Sequence, residues 1–97
     1  MAVFRVKKDK NFTVMSNHHF KCRQLSLKAM GLLSLMLSLP DTWNYTLNGL
    51  ATICSDGVSS VRAGIQELES HGYIVRKRLR DDYGRLTDTE YSIYEHP

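Results

Sequence analysis

The most restrictive feature of this 97-residue chain is a three-residue break, Ser55-Asp56-Gly57, between two stretches with helical spacing. Before the break, Leu47, Leu50, Ala51 and Cys54 recur at intervals of three and four, behind a threonine, Thr46, that suits an N-cap. After it, Val61, Ile65 and Leu68 share one face of a segment running from about Val58 to His71. Gly72 then closes that segment as a C-terminal glycine in left-handed conformation. Two amphipathic helices joined this tightly must pack against each other across a short turn.

The flanking segments complete the pattern. Ser26 is placed to cap a strongly apolar helix, Leu27–Leu39, which must stop before Pro40 because proline disfavours helical backbone in the residue preceding it. Its leucines and methionines cover more than one stripe, as in a central core helix or one with a second face against a partner. Leu33, Leu37, Leu50, Val61, Ile65 and Leu68 are the expected core. Trp43 and Tyr45 are expected to wedge the loop after Pro40 against it. Downstream, residues 73–80 and 86–94 read as a β-hairpin turning at Asp81-Asp82-Tyr83-Gly84. Upstream, 3–7 and 12–15 alternate like short strands around a turn at Asp9-Lys10-Asn11, and 16–24 has room for one helical turn. The fold class expected is α+β, a three-helix core with a C-terminal hairpin and short N-terminal strands. Residues 1–11 form an N-terminal strand or arm, 12–94 one domain, and 95–97 the start of a linker.

At this length there is room for one domain and no cofactor-binding second one. The composition, 42% hydrophobic and 24% charged, is that of a globular domain. The longest apolar run is too short to span a bilayer, and no apolar segment follows the basic N-terminus as in a secretory signal. Two cysteines, Cys22 and Cys54, make no disulfide framework and read as reduced thiols in a cytoplasmic protein. The net charge is only +3, but it is unevenly placed. Seven Lys or Arg against one Asp lie in residues 1–28, and five more bases are confined to 76–85. That pattern suits a polyanion.

The segments Leu50-Ala51-Thr52-Ile53-Cys54, Val58-Ser59-Ser60-Val61-Arg62, Ile65-Gln66-Glu67-Leu68-Glu69 and Gly72-Tyr73-Ile74-Val75 resemble the winged helix-turn-helix pattern of bacterial DNA-binding domains. With Leu25–Leu33 and Leu37–Asp41, the chain is similar over residues 12–94 to the N-terminal domain of replication initiator and DnaD-like replisome-organiser proteins of Gram-positive phages, plasmids and conjugative elements. The resemblance implies a DNA-binding domain of a replication-initiating mobile-element protein, with double-stranded DNA, replisome proteins and a second copy of the chain as partners.

In such a fold the third helix lies against the major groove. Its exposed polar residues Ser59, Ser60, Arg62 and Gln66 are the candidate contacts: serine to phosphate or base edge, arginine to guanine or phosphate, glutamine to adenine. Glu67 and Glu69 lie in the half of the helix expected to face away from DNA. The hairpin supplies Arg76, Lys77, Arg78, Arg80 and Arg85. Arg76, Arg78 and Arg80 share a strand face by alternation and are spaced to follow a phosphate backbone. A solvated, charged edge strand with Asp81, Asp82 and Glu90 as partners is the plainer alternative.

Other chemistry is thinly represented. His18 and Cys22 are four apart, but no second ligand pair accompanies them, so no metal is expected and the histidines read as polar surface residues. Cys54 reads as core. No paired carboxylates, nucleophile–base arrangement or glycine-rich phosphate loop points to an enzyme or a cofactor. Two rivals to a replication role stand: a transcriptional repressor, which would add helices for dimerisation, and a winged helix used for protein interaction or oligomerisation, which the apolar helix 27–39 favours.

Overall fold

The computed structural model describes residues 2, 3, 5, 10–40, 43 and 45–97, with Asp88 by its backbone alone. A 3-10 turn, His18–Phe20, precedes three helices: α1 (Leu27–Ser38), α2 (Leu47–Thr52) and α3 (Val58–Ser70). A hairpin of β1 (Ile74–Arg80) and β2 (Leu86–Ile93) follows. The two strands pair antiparallel, Ile74 opposite Ile93 and Arg78 opposite Thr89, with a register shift between Arg78 and Arg80. This is an α+β winged helix-turn-helix.

The predicted caps are in place. Ser26 Oγ accepts the Ala29 N–H at 3.1 Å, and Thr46 Oγ1 accepts the Gly49 N–H at 2.8 Å. Gly72 and Gly84 sit at φ +83° and +78°, the left-handed backbone that ends α3 and closes the hairpin. Asp81 organises that turn, its Oδ1 accepting the N–H groups of both Tyr83 and Arg85.

α2 is shorter than its spacing suggests. It ends at Thr52, not Cys54, so the connection to α3 runs over five residues, 53–57. Thr52 and Ile53 are both β-branched, which weakens a short helix at its end, and the Thr52 hydroxyl bonds back to the Gly49 carbonyl. The N-terminal strands are not confirmed. Residues 12–15 have no strand pairing, and Phe12 and Val14 are exposed. Alternation without a neighbouring strand leaves a segment's backbone unpaired and its apolar residues uncovered. Most of 3–7 lies outside the described residues, as does Asp9.

The core is built from Leu25, Ala29, Leu33 and Met36 on the α1 side, Leu50 of α2, and Val61, Ile65 and Leu68 of α3. Tyr73 and Ile74 close it. Leu37 is only half-buried, because the buried stripe of α1 runs through 29, 33 and 36. Cys54, beyond the end of α2, is also half-buried. α1 and α3 meet at Gly64, where an added Cβ would stand 2.7 Å from Leu32 Cδ2. Tyr45 and Trp43 are half-buried. The Tyr45 hydroxyl donates at 2.7 Å to the Met36 carbonyl, which also accepts the Leu39 N–H at 3.3 Å, so the loop is tied to the last turn of α1.

His19 corrects the surface reading: it is fully buried. Its Nε2 lies 2.9 Å from Ser34 Oγ, which already donates to the Met30 carbonyl, so Nε2 carries the proton and Nδ1 is left buried with no partner among the described residues. His18 Nδ1 lies 3.0 Å from the Tyr73 hydroxyl, and the His96 ring meets His18 edge-on. Residues 95–97 lie against the body, with Glu95 accepting from the Ser16 N–H and Pro97 beside Gly72.

Candidate nucleic-acid interface

Helical spacing divides the polar side chains of α3 among three flanks, and the structure shows what each one meets. Ser60 and Glu67 face α1. The Ser60 hydroxyl donates to Asp56 Oδ2 at 3.0 Å, and Ser60 lines a groove with Leu27, Leu35 and Cys54. Ser60 is therefore placed on a different flank from Arg62, where sequence reasoning had grouped the two. Glu67 accepts both the backbone N–H and the hydroxyl of Ser26, at 2.6 and 2.7 Å. Those bonds, the backbone one foremost, hold its carboxyl below the usual carboxylate range. Ser59, Ala63 and Gln66 are exposed on the outer flank. No side chain caps the amino end of the helix at Gly57.

The third flank, Val58, Arg62 and Glu69, turns toward the hairpin. A groove of about 380 Å³ separates it from β1 and β2. Arg62 enters from α3, Arg76 and Arg78 from β1, Thr87 and Thr89 from β2, and Asn48 from α2. Strand alternation puts Arg76 and Arg78 on this inner face and leaves Lys77 on the other, opposite Glu90 across the ladder.

The arginines of the hairpin are not equivalent. Arg76 is clasped by Glu69, its Nε 2.8 Å from Oε2 and its Nη2 2.5 Å from Oε1. This bond pushes the guanidinium pKa up, and Tyr91, directly across the ladder, adds to it. Glu69 thus turns toward the hairpin and not away from it. Arg80 donates to the Gly84 carbonyl at 2.8 Å, and Arg85 pairs with Asp81 at 3.2 Å while lying over the Tyr83 ring. Both are exposed at the hairpin tip. The register shift after Arg78 separates Arg80 from the row formed by Arg76 and Arg78, so the expected row of three is a row of two. Lys77 and Arg78 are exposed, and among the described residues neither Arg62 nor Arg78 is in an ion pair.

Asn48, Thr87 and Thr89 are additions of the structure to the site expected from the sequence, and Glu69, expected to face away from DNA, turns to the hairpin instead. Nothing in their local patterns marks them. The groove brings together α2, α3 and β2, and the Glu69–Arg76 pair crosses the turn at Gly72. Among the described residues, no group of three His, Cys, Asp or Glu side chains is placed to hold a metal ion. Among the described residues, no helix is long and apolar enough to cross a membrane.

The architecture defines a class, the winged helix-turn-helix. A family described as "Helix-turn-helix domain" matches residues 23–74, from the approach to α1 to the first residue of β1. The chain belongs to this helix-turn-helix domain family. Family and fold together support DNA binding. No curated protein and no solved structure gives a match.

Proposed function

We propose that this domain binds double-stranded DNA with the outer flank of α3 in the major groove and the hairpin along the backbone, in the replication initiation of a mobile element. The observation that carries the DNA reading is the groove shared by α3 and the hairpin. Two guanidinium groups without an ion pair among the described residues, Arg62 and Arg78, line it beside the hydroxyl of Thr89. Such groups bind phosphate by charge-assisted hydrogen bonds. Ser59 and Gln66, exposed on the adjoining flank, are placed for base edges, with Arg62 between the two surfaces. Lys77, Arg80 and Arg85 add positive charge along the hairpin. The replication role rests on the resemblance of residues 25–33 and 37–41 to initiator and replisome-organiser domains, and implies a cytoplasmic protein with replisome partners. A repressor would use the same surface.

The test is a titration of the chain against several duplexes at a series of salt concentrations. Log affinity should fall linearly with log salt, by about 0.9 for each phosphate contacted. Absence of binding to every duplex would end this reading.

One observation favours a second reading, a protein-interaction module. Leu27 on α1 is 86% exposed and borders an apolar groove of about 250 Å³ with Leu35, Cys54 and Val61. Self-association by sedimentation with no DNA affinity would support that alternative.

A further inference from the structure

Three guanidinium groups line one groove, yet only one of them is neutralised. Arg62 and Arg78 have no ion pair among the described residues, whereas Arg76 meets Glu69 through two donors and both carboxylate oxygens. The pair is about 30% exposed on each side, 31% for Arg76 and 28% for Glu69, so solvent screens it only in part. It is also fork-to-fork, the geometry in which an arginine is held most firmly and in which a phosphate would otherwise be gripped. Glu69 occupies the Nε–H and Nη2–H edge with which Arg76 would grip a DNA phosphate in two-donor fashion. It does so from α3, the same helix that carries the proposed base contacts.

We infer that Glu69 withholds Arg76 from phosphate, and so sets the affinity of the domain for duplex DNA of any sequence. This rests on the DNA-binding reading above. Phosphate contacts carry no sequence information. An acid that sequesters one arginine lowers affinity for every duplex alike and leaves base discrimination to the outer flank of α3. Arg76 then holds the hairpin to α3 while Arg78 meets the backbone.

Two measurements test this on the full chain. In the first, wild type, Glu69→Gln and the double variant Glu69→Gln/Arg76→Gln are titrated with one set of unrelated duplexes at 50–200 mM salt. Glu69→Gln keeps the size of the side chain at a partly exposed position and removes the charge that clasps Arg76. It should tighten binding to all duplexes by a similar factor. It should also steepen the salt dependence by about 0.9, an extra loss of about three- to fourfold in affinity across that salt range. The double variant should return to the wild-type slope. The inference is overturned if Glu69→Gln leaves the slope unchanged or flatter, or tightens only one duplex. It is equally overturned if the double variant keeps the gain, since the effect would then be the lost negative charge alone. The second measurement needs no variant. On adding duplex to wild type, the Arg78 Nε–H resonance should shift and that of Arg76 should not; a shifted Arg76 resonance overturns the inference. If wild type binds no duplex, the DNA reading itself falls and this inference with it. Binding with a shifted Arg76 overturns this inference alone.

Discussion

Glu67 and Glu69, two residues apart on α3, illustrate how little residue type says about role. Both are acids in a helix proposed to meet DNA, yet one reaches the amino end of α1 and the other clasps the hairpin. Glu67 performs from a neighbouring helix the task that a glutamate three residues after the cap performs in a capping box: it accepts the N–H of the cap residue itself. Position 29 of α1, where that glutamate would stand, is Ala29, buried in the core. At the same helix contact, Gly64 admits Leu32 so closely that a methyl group has no room. Gly64→Ala should therefore destabilise the domain by about 1–3 kcal/mol, although alanine favours helix, because overpacking outweighs propensity. Urea melts check this, and a gain in stability would mean that Leu32 moves aside freely. Leu68 is fully buried in the same layer. Leu68→Ala should cost about 2–5 kcal/mol in the same assay, and a loss within error would place the residue outside the core.

Between elements, the contact of the His18–Phe20 turn with α1 makes stability depend on pH. Burial lowers the pKa of His19 below its ordinary 6.5; Glu95 opposes the shift and His18 adds to it. The neutral ring uses Nε2–H toward Ser34, and a second proton on Nδ1 would be buried without an acceptor. The unfolded chain therefore takes up the proton first as pH falls, and stability is lost from about pH 6.5 down to the lowered folded value. Glu67 acts in the same direction in a separate window. Its contribution is complete above its ordinary 4.5 and is lost as pH falls from there through its lowered folded value. Denaturant melts at pH 7.5 and 5.5 should show wild type weakening. His19→Gln, which can keep the bond to Ser34 without titrating, should weaken much less. A wild-type stability that is flat across that interval would dismiss the buried histidine as the cause.

For the whole molecule, the +3 net charge understates the field at the proposed interface, because Arg62 and Arg78 line one groove while Glu67 is bonded to Ser26 and Glu69 to Arg76. Removing Arg78 with Lys77 and Arg80 should weaken binding to all duplexes about equally and flatten the salt slope. Arg62→Ala should cost a preferred site about 1–3 kcal/mol more than random DNA if the side chain makes a bidentate base contact. Titrations at two salt concentrations separate the two effects. A uniform loss for Arg62→Ala would put that residue on phosphate, and an unchanged slope for the triple variant would make the hairpin a solvated edge.

Much of this architecture was legible from residues whose effect is local. Ser26, Thr46, Pro40, Gly72 and Gly84 act through backbone geometry within a few positions, so the order and type of the elements from 27 to 93 follow from them. The apolar face of α3 was equally plain, because Val61, Ile65 and Leu68 repeat at the helical period. What the chain alone did not reveal depends on groups distant in sequence. The burial of His19 follows from Ser34 of α1, the exposure of residues 12–14 from the lack of strand pairing there, and the half-burial of Leu37 from which side of α1 meets α3. The site divides in the same way. Its basic residues can be read off the chain, but their availability cannot, because a charge is free or spent according to what stands within a few ångströms. Arg76 and Arg78 are alike in type, strand and face, and only the packing of α3 against β1 sets Glu69 beside the first and leaves the second without an ion pair among the described residues.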